Sequence, residues 1–360
     1  MNWNLNLIKR LVNAKRCAVN LCVRLVYHIF YTVHAQTKIV FLNNFAIDKY
    51  QNLSLLFNYI YKKDKNVVFI NTKAKNVIEG IYQLWIISQA RIIVVDCSHW
   101  IISKIKIRER SKLIYIGHGG GVYKKMGYSR DDFVRRNESD EKNLMLYGQY
   151  DYVLATTEHF DNEICNNYRI NKTQILHFGM PRTDFIISKL NKCGKETQCK
   201  SILFAPSYVE SKKHGRLIGY DLDELNKIFL RLGIKVYVSI HPDMRNKVLL
   251  PSNWIDVSGW EIFNKILEVD VLISDYSSIM FDFCCTGKPI ILIDNVVNNN
   301  LIWPRAKKIT GVNRCGSIDE MENLLCNYWK LIKSDELYAL QMNCCRGEAT
   351  IRVGEFILKK

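Results

Sequence analysis

The chain has 360 residues, 48% apolar and 24% charged, with 51 Lys and Arg against 35 Asp and Glu for a net charge of +16. This balance excludes a disordered chain, and the length exceeds what one hydrophobic core usually serves, so two domains are expected. The twelve cysteines contain no Cys-x-x-Cys spacing, which argues against a structural zinc site or disulfide framework and for a reducing, cytosolic compartment.

The positive charge points to an anionic partner, a phosphorylated substrate, an acidic membrane surface or nucleic acid; the alternative is a lysine-rich composition that keeps the protein soluble. Its strongest local expression is residues 1–35, where no acidic residue occurs; the first is Asp48. Lys9, Arg10, Lys15, Arg16 and Arg24 interleave with Trp3, Leu7, Ile8, Leu11, Val12 and Leu25. The run from Cys17 to Val33 is interrupted by Asn20, Arg24 and His28 and falls short of the roughly 20 apolar residues of a membrane span. A basic amphipathic helix lying on the membrane surface is expected; the alternative is a helix packed on the protein's own core.

From Thr37 the pattern alternates. KIVFL (38–42), NVVFIN (66–71), RIIVVD (91–96) and KLIYIG (112–117) are short, β-branched apolar runs separated by helix-length segments such as NVIEGIYQLWIISQA. A second series follows: YVLATT (152–157), SILFAPS (201–207), KVYVSIHP (235–242), DVLISDYSS (270–278) and PIILID (289–294). Buried strands alternating with helices predict parallel sheets covered on both faces. The polar stretch SKLNKCGKETQCKS (188–201) reads as a linker. Two doubly wound α/β domains are expected, over 36–190 and 201–360.

Ligands of open α/β sheets bind beyond the carboxyl ends of the strands, and the unusual residues gather there. The first domain has His118, the glycines Gly119 to Gly121, and Lys124 with Lys125. The second has Pro206 and Ser207, then His241, then Asp275, Ser277 and Ser278 at a strand-to-helix junction near Ile279, with Asp282 one turn on. Serines at a helix N-terminus suit phosphate, and Asp282 could meet a ligand hydroxyl. Histidines at two strand ends facing one cleft suit proton removal from a hydroxyl or contact with a phosphate oxygen. No third ligand at metal spacing accompanies them, so neither metal nor cofactor is expected. In GMPRTD (179–184), Arg182 could pair with a phosphate or hold Asp184. The aromatic-basic patterning of RNA-binding modules is missing, and no nucleic-acid partner is expected.

In this order the motifs resemble the CDP-glycerol glycerophosphotransferase family of teichoic acid primases and polymerases. HGGGVYKKMG is similar to its HGTPLKKIG-like loop, GMPRTD to its G-x-PR-x-D segment, FAPSY to YAPTW, and LISDYSSIMFDFCCTGKPIIL to its LITDYSSVMFDFxxxxKPIIF element. The resemblance covers about Thr37 to Lys360 and implies a GT-B architecture, two Rossmann-like domains with the active site between them. It further implies transfer of a polyol phosphate from CDP-glycerol or CDP-ribitol to a lipid-linked or polyanionic glycan acceptor, with loss of CMP. His118 would be the general base and His241 a phosphoryl contact. Ser277 and Ser278 would hold the diphosphate, Asp282 would orient nearby groups, Lys124 and Lys125 would attract the acceptor, and the glycines would let it approach. Gly119 to Gly121 with Val122 replace the family's proline and threonine, and Ser207 its usual threonine. NVVNNNLIWPRAKK departs from the family's aspartate and tyrosine pattern, which leaves polyol and acceptor open. The competing readings are a GT-B enzyme using a nucleotide sugar and a non-catalytic polyanion-binding protein.

Overall fold

The apolar runs become two six-stranded, wholly parallel sheets in a computed structural model. It describes residues 2–43, 51–70, 73–97, 99–117, 119–130, 147–190, 198–206, 216–217, 220–240, 248–259, 261–275, 277–294, 302–305 and 309–360, without side chains for 2–13, 16 and 216–217. The first sheet holds β1 (Lys38–Leu42), β2 (Val67–Ile70), β3 (Ala90–Val95), β4 (Lys112–Tyr115), β5 (Tyr152–Leu154) and β6 (Ile175–Leu176), in the order β2-β1-β3-β4-β5-β6. A small hairpin, β8 (Arg216–Leu217) and β9 (Tyr220–Asp221), stands apart. The second sheet holds β7 (Ser201–Ala205), β10 (Lys235–Val238), β11 (Ile255–Asp256), β12 (Val271–Ser274), β13 (Ile290–Ile293) and β14 (Asn313–Cys315), in the order β11-β10-β7-β12-β13-β14. Strand order reverses between β1 and β3 in one sheet and between β7 and β12 in the other, the places where open α/β sheets take ligands.

The period of two along each strand sends alternate residues to opposite faces. Ile39 and Phe41 enter a core with Leu53, Leu56 and Ile60 of α2 (Asn52–Lys63), while Val40 and Leu42 enter the core on the other face. In β7, Ile202 and Phe204 face one core and Leu203 and Ala205 the other. The core of Val40 and Leu42 is shared with Leu203, Leu272 and Phe281, so apolar packing runs through from one half to the other.

Helix α1 (Asn2–Val33) packs against α3 (Val77–Ser88). Tyr27 and Tyr31 are buried in the shared core, while Leu21, Leu25, Ile29 and Val33 stay exposed. Among the described residues no helix is long and apolar enough to cross a membrane. The remaining α-helices among the described residues are α4 (Asp161–Tyr168), α5 (Pro181–Lys189), α6 (Leu222–Arg231), α7 (Glu261–Glu268), α8 (Ile279–Cys284), α9 (Ile318–Cys326), α10 (Asp335–Gln341) and α11 (Ala349–Lys359).

Helix α11 departs from the expected boundaries. It falls within 201–360 but packs on α2 and α5 of the N-terminal half, with Val353 and Ile357 in the core of Ile39 and Phe41. Asp184 accepts the backbone N–H groups of Ala349 at 3.0 Å and Thr350 at 2.7 Å, satisfying donors that a helix N-terminus leaves free. Residues 191–197 of the expected linker lie outside the described residues.

Candidate active site

The glycine loop is shaped by the other half of the protein. Gly121 has φ +70°, and a Cβ there would lie 2.6 Å from the Phe281 ring of α8; at Gly119 it would lie 3.1 Å from the Ser278 side chain. At Gly120 it would lie 2.7 Å from Met342. The three glycines thus let the loop after β4 press against α8 and the segment after α10. Thr156 Oγ1 accepts from Gly121 N–H at 3.0 Å, and Gln341 Oε1 accepts from Val122 N–H at 2.8 Å. Buried Asn52, at the start of α2, donates to Gly117 O and accepts from Arg182 N–H, both at 3.0 Å. It ties the loop to α5.

Arg182 reaches across to Asp282, with Nε on Oδ1 at 2.8 Å and Nη2 on Oδ2 at 2.5 Å. The carboxylate side chain is 1% exposed and the guanidinium 11%. Burial raises the Asp282 pKa and Arg182 opposes the rise. Asp282 therefore holds the halves together rather than meeting a ligand hydroxyl, and Arg182 pairs with it, not with Asp184.

Lys124 stands on the loop's far side. Its side chain is exposed as a whole, yet protein crowds it; desolvation lowers its pKa, Arg130 adds to this, and the buried Asp275 at the end of β12 opposes it. Backbone pairing joins the loop to the C-terminal half here too, through Lys124 with Ile302 and Trp303 N–H with Tyr123 O at 3.1 Å. The Lys125 ammonium lies 5.7 Å from the Trp303 ring centre, a cation–π contact.

Pro206 is buried at the end of β7, where Ser274 Oγ donates to Ala205 O at 2.5 Å and links the two strands at the reversal point. Ser277 is half-buried and Ser278 exposed. Ser278 precedes α8 without a side-chain capping bond, its backbone already helical at φ −64° and ψ −14°. Its hydroxyl is thus not the helix cap that serines at a strand-to-helix junction suggest. His118, Ser207 and His241 lie outside the described residues. Gly117, Gly119, Lys124, Thr156, Tyr168 and Ser278 line a pocket of ≈ 180 Å³. Among the described residues no cluster of three or more His, Cys, Asp or Glu is placed to hold a metal.

Two functional candidates escaped the sequence reading. Asn52 carries no local signal, because its partners are 65 and 130 residues away. Asp96 ends β3 at the strand-order reversal, a position that could have singled it out. It is buried, its Oδ1 has no hydrogen-bond partner, and burial pushes its pKa up to about 6 against the opposing charge of Arg182.

Residues 23–295 match the family described as CDP-Glycerol:Poly(glycerophosphate) glycerophosphotransferase. A teichoic acid glycerol-phosphate primase of Bacillus subtilis is 28% identical over 60% of this chain and 59% of its own length. A teichoic acid poly(ribitol-phosphate) polymerase of Bacillus spizizenii is 24% identical over 76% of this chain and 48% of its own. The chain thus spans about half the length of these curated relatives. Among solved structures, the wall teichoic acid polymerase TagF superposes with a TM-score of 0.74 at 17% identity, covering 98% of this chain and 98% of that one. The UDP-GlcNAc 2-epimerase of Neisseria meningitidis superposes at 0.54 with 13% identity, covering 90% of this chain and 100% of that one. Both likenesses fit a GT-B-like fold of two parallel-sheet domains.

Proposed function

The chain belongs to the CDP-glycerol:poly(glycerophosphate) glycerophosphotransferase family, and from that premise we propose that it transfers a polyol phosphate from CDP-glycerol or CDP-ribitol to an acceptor hydroxyl. The acceptor oxygen attacks the phosphorus bearing the polyol, a new P–O bond forms, the bond to the CMP oxygen breaks, and CMP leaves. His118 takes the hydroxyl proton, and His241 contacts the transferring phosphoryl group. Ser277 and Ser278 hold the diphosphate with Pro206, Ser207 and Asp275 beside them, and Lys124 draws in an anionic acceptor. Such transfer depends on positioning and charge neutralisation more than on covalent chemistry.

The observation that carries this reading is the seating of the loop flanking His118 on the start of α8, with Gly119 against Ser278. Arg182–Asp282 and Asn52 fix the approach of one half to the other. The pocket beside the loop, ≈ 180 Å³, is below the ~300–1,000 Å³ of sites that enclose larger ligands and suits a polyol-sized fragment. The acceptor is a lipid-linked or growing surface polymer, and the protein works at the cytoplasmic face of the membrane as a peripheral protein. CMP release is the test, with CDP-glycerol and CDP-ribitol in parallel, a membrane extract supplying acceptor, and His118→Ala as control. Release from one donor that vanishes in His118→Ala is expected. Release undiminished in His118→Ala, or CMP from neither donor while a sugar nucleotide is turned over, overturns the assignment.

A further inference from the structure

A second cavity adjoins the pocket beside the glycine loop and takes no part in the reaction as derived above. It is an open groove of ≈ 640 Å³ between the residues after Lys124, the end of α4 and Trp303 of the C-terminal half. Lys125, Tyr128, Ser129, Arg169, Asn171 and Trp303 stand on its wall, and none of the residues lining it is Asp or Glu. Chain neighbours divide the two cavities. Lys124 and Met126 line the pocket while Lys125 lines the groove, and Asn167 and Tyr168 line the pocket while Arg169 lines the groove.

The two cations of the groove are supported without being neutralised. The Arg169 guanidinium carbon lies 3.8 Å from the centre of the Tyr128 ring, and the Lys125 ammonium rests near Trp303 as described. Among the described residues neither is paired with a carboxylate. An aromatic face attracts a cation and limits its wandering, yet leaves the charge for a ligand. Ser129 Oγ and Trp303 Nε1 have no hydrogen-bond partner among the described residues; water or a bound ion commonly completes such atoms.

Arg169 is also strained. At φ 52° and ψ 49° it ends α4, and among the described residues no other non-glycine has a positive φ. The left-handed region disfavours any residue with a Cβ, and helices that end this way usually do so on Gly or Asn. Helix α6 does, with Gly233 at φ +66° just past its end. A cation is favourable at a helix C-terminus, but the preceding residues of that turn could carry one without strain. Strain retained at a single residue points to the work of its side chain, and this side chain lies along the groove.

We propose that the groove binds the phosphodiester chain of a polyol-phosphate polymer, with Arg169 and Lys125 meeting its phosphates while the terminal hydroxyl enters the pocket beside the loop. This rests on the transferase reading above and names where the polymeric part of the acceptor lies. The open, acid-free groove suits a hydrated polyanion, and the smaller pocket suits one polyol unit. A nucleic acid strand fits less well, because Arg169 and Lys125 take up ring faces of Tyr128 and Trp303 on which bases would stack.

The test uses the full chain and poly(glycerol phosphate) of defined length, with poly(ribitol phosphate) in parallel, read by equilibrium binding at rising salt. A basic chain attracts polyanions in general, so Lys62→Gln, which removes an exposed cation of α2, is the charge-matched control. Loss of one exposed ion pair weakens affinity by roughly 2- to 5-fold, and Lys125→Gln and Arg169→Gly should each do so. The slope of log affinity against log salt should fall by about 0.7 for each cation removed, as for a single nucleic acid strand, whose phosphates are spaced by as many backbone atoms as those of poly(glycerol phosphate). Lys62→Gln should change neither quantity. Arg169→Gly should melt no lower than the parent, because glycine takes the left-handed turn freely, so its weaker binding would not reflect misfolding.

Parent-like binding by both groove variants overturns the proposal, as does an equal loss in Lys62→Gln or a parent chain that ignores both polymers. Inorganic phosphate bound as tightly as the polymer would make the groove a single-anion site and overturn it too. Tighter binding of oligothymidylate of equal charge, lost in the same variants, would reassign the groove to nucleic acid. Binding is read without turnover, so the groove and the reaction fail separately. A chain that grips the polymer through Arg169 and Lys125 but releases no CMP upholds the groove and sinks the reaction.

Discussion

Replacing Arg182 with Met would strip the buried Asp282 carboxylate of its only cation within hydrogen-bonding distance among the described residues. Two charge-assisted bonds of 2.8 and 2.5 Å would go, and the carboxylate, 1% exposed, would have no water to turn to. Unit charges ~4 Å apart at an effective dielectric constant of ~20 interact by about 4 kcal/mol, within the ~3–5 kcal/mol that removing one partner of a buried pair costs. Arg182→Met should lose that much in urea unfolding at neutral pH. Asp282→Asn should lose less, about 2 kcal/mol, because the freed guanidinium is 11% exposed and still lies 5.4 Å from the Phe263 ring centre. Arg182→Met with Asp282→Asn should lose at least about 2 kcal/mol less than the two single losses added, since neither charge is stranded. The pH dependence gives a second signature. Asp282 has a folded pKa above its ordinary value, so the folded protein holds the proton more tightly and gains stability as pH falls through that pKa. Without Arg182 the rise is larger, and the Arg182→Met deficit should shrink on acidification. Additive losses, or a deficit that does not change with pH, would refute the reasoning.

Gly121→Ala and Gly119→Ala should separate sharply. The first places a Cβ 2.6 Å from the Phe281 ring at φ +70°, where the left-handed backbone alone costs about 1–2 kcal/mol; it should lower the melting temperature and abolish CMP release. The second meets the Ser278 side chain at 3.1 Å and Arg182 Nη2 at 3.8 Å, without a left-handed backbone, and should be destabilised far less; equal destabilisation of both would contradict this account of how the loop seats on α8. Asp96→Asn should be more stable than the parent at pH 7.5. A folded pKa of about 6 against an ordinary 3.8 puts the cost of ionising that buried carboxyl at about 3 kcal/mol, present above pH 6 and vanishing as pH falls toward 4. The two proteins should therefore melt alike at pH 4. His99, held neutral by burial with its pKa lowered to about 3, is common to both and cancels in the difference.

The sequence made the longer strands legible and the shortest edges obscure. KIVFL occupies β1 residue for residue, and RIIVVD and SILFAPS lie within a residue or two of β3 and β7, because a strand buried on both faces must be apolar throughout. Of the four edge strands, β2 is four residues long and its run NVVFIN was legible, but β6, β11 and β14 are two or three residues long, and Ile255–Asp256 is exposed throughout; nothing periodic marks these three. At the site, residue type and order pointed to the glycine loop, Arg182, Asp275 and Asp282. What the glycines face, and which acid Arg182 grips, depend on contacts between elements about 100 to 220 residues apart. Local spacing carries no trace of such contacts, so Asn52 and the Arg182–Asp282 clasp emerge only from the fold.

Helix α11 determines how the protein can be cut and how it can be made. Residues 36–190 have the length of an independent domain, but a fragment of them would bare Leu53, Leu56 and Ile60 where Val353 and Ile357 normally lie, and would leave Asp184 without the helix it caps. On the ribosome, the first Rossmann-like unit must wait, with that face open, until the whole second unit has emerged and residues 349–359 follow. The N-terminal half is thus the first to begin folding and the last to finish.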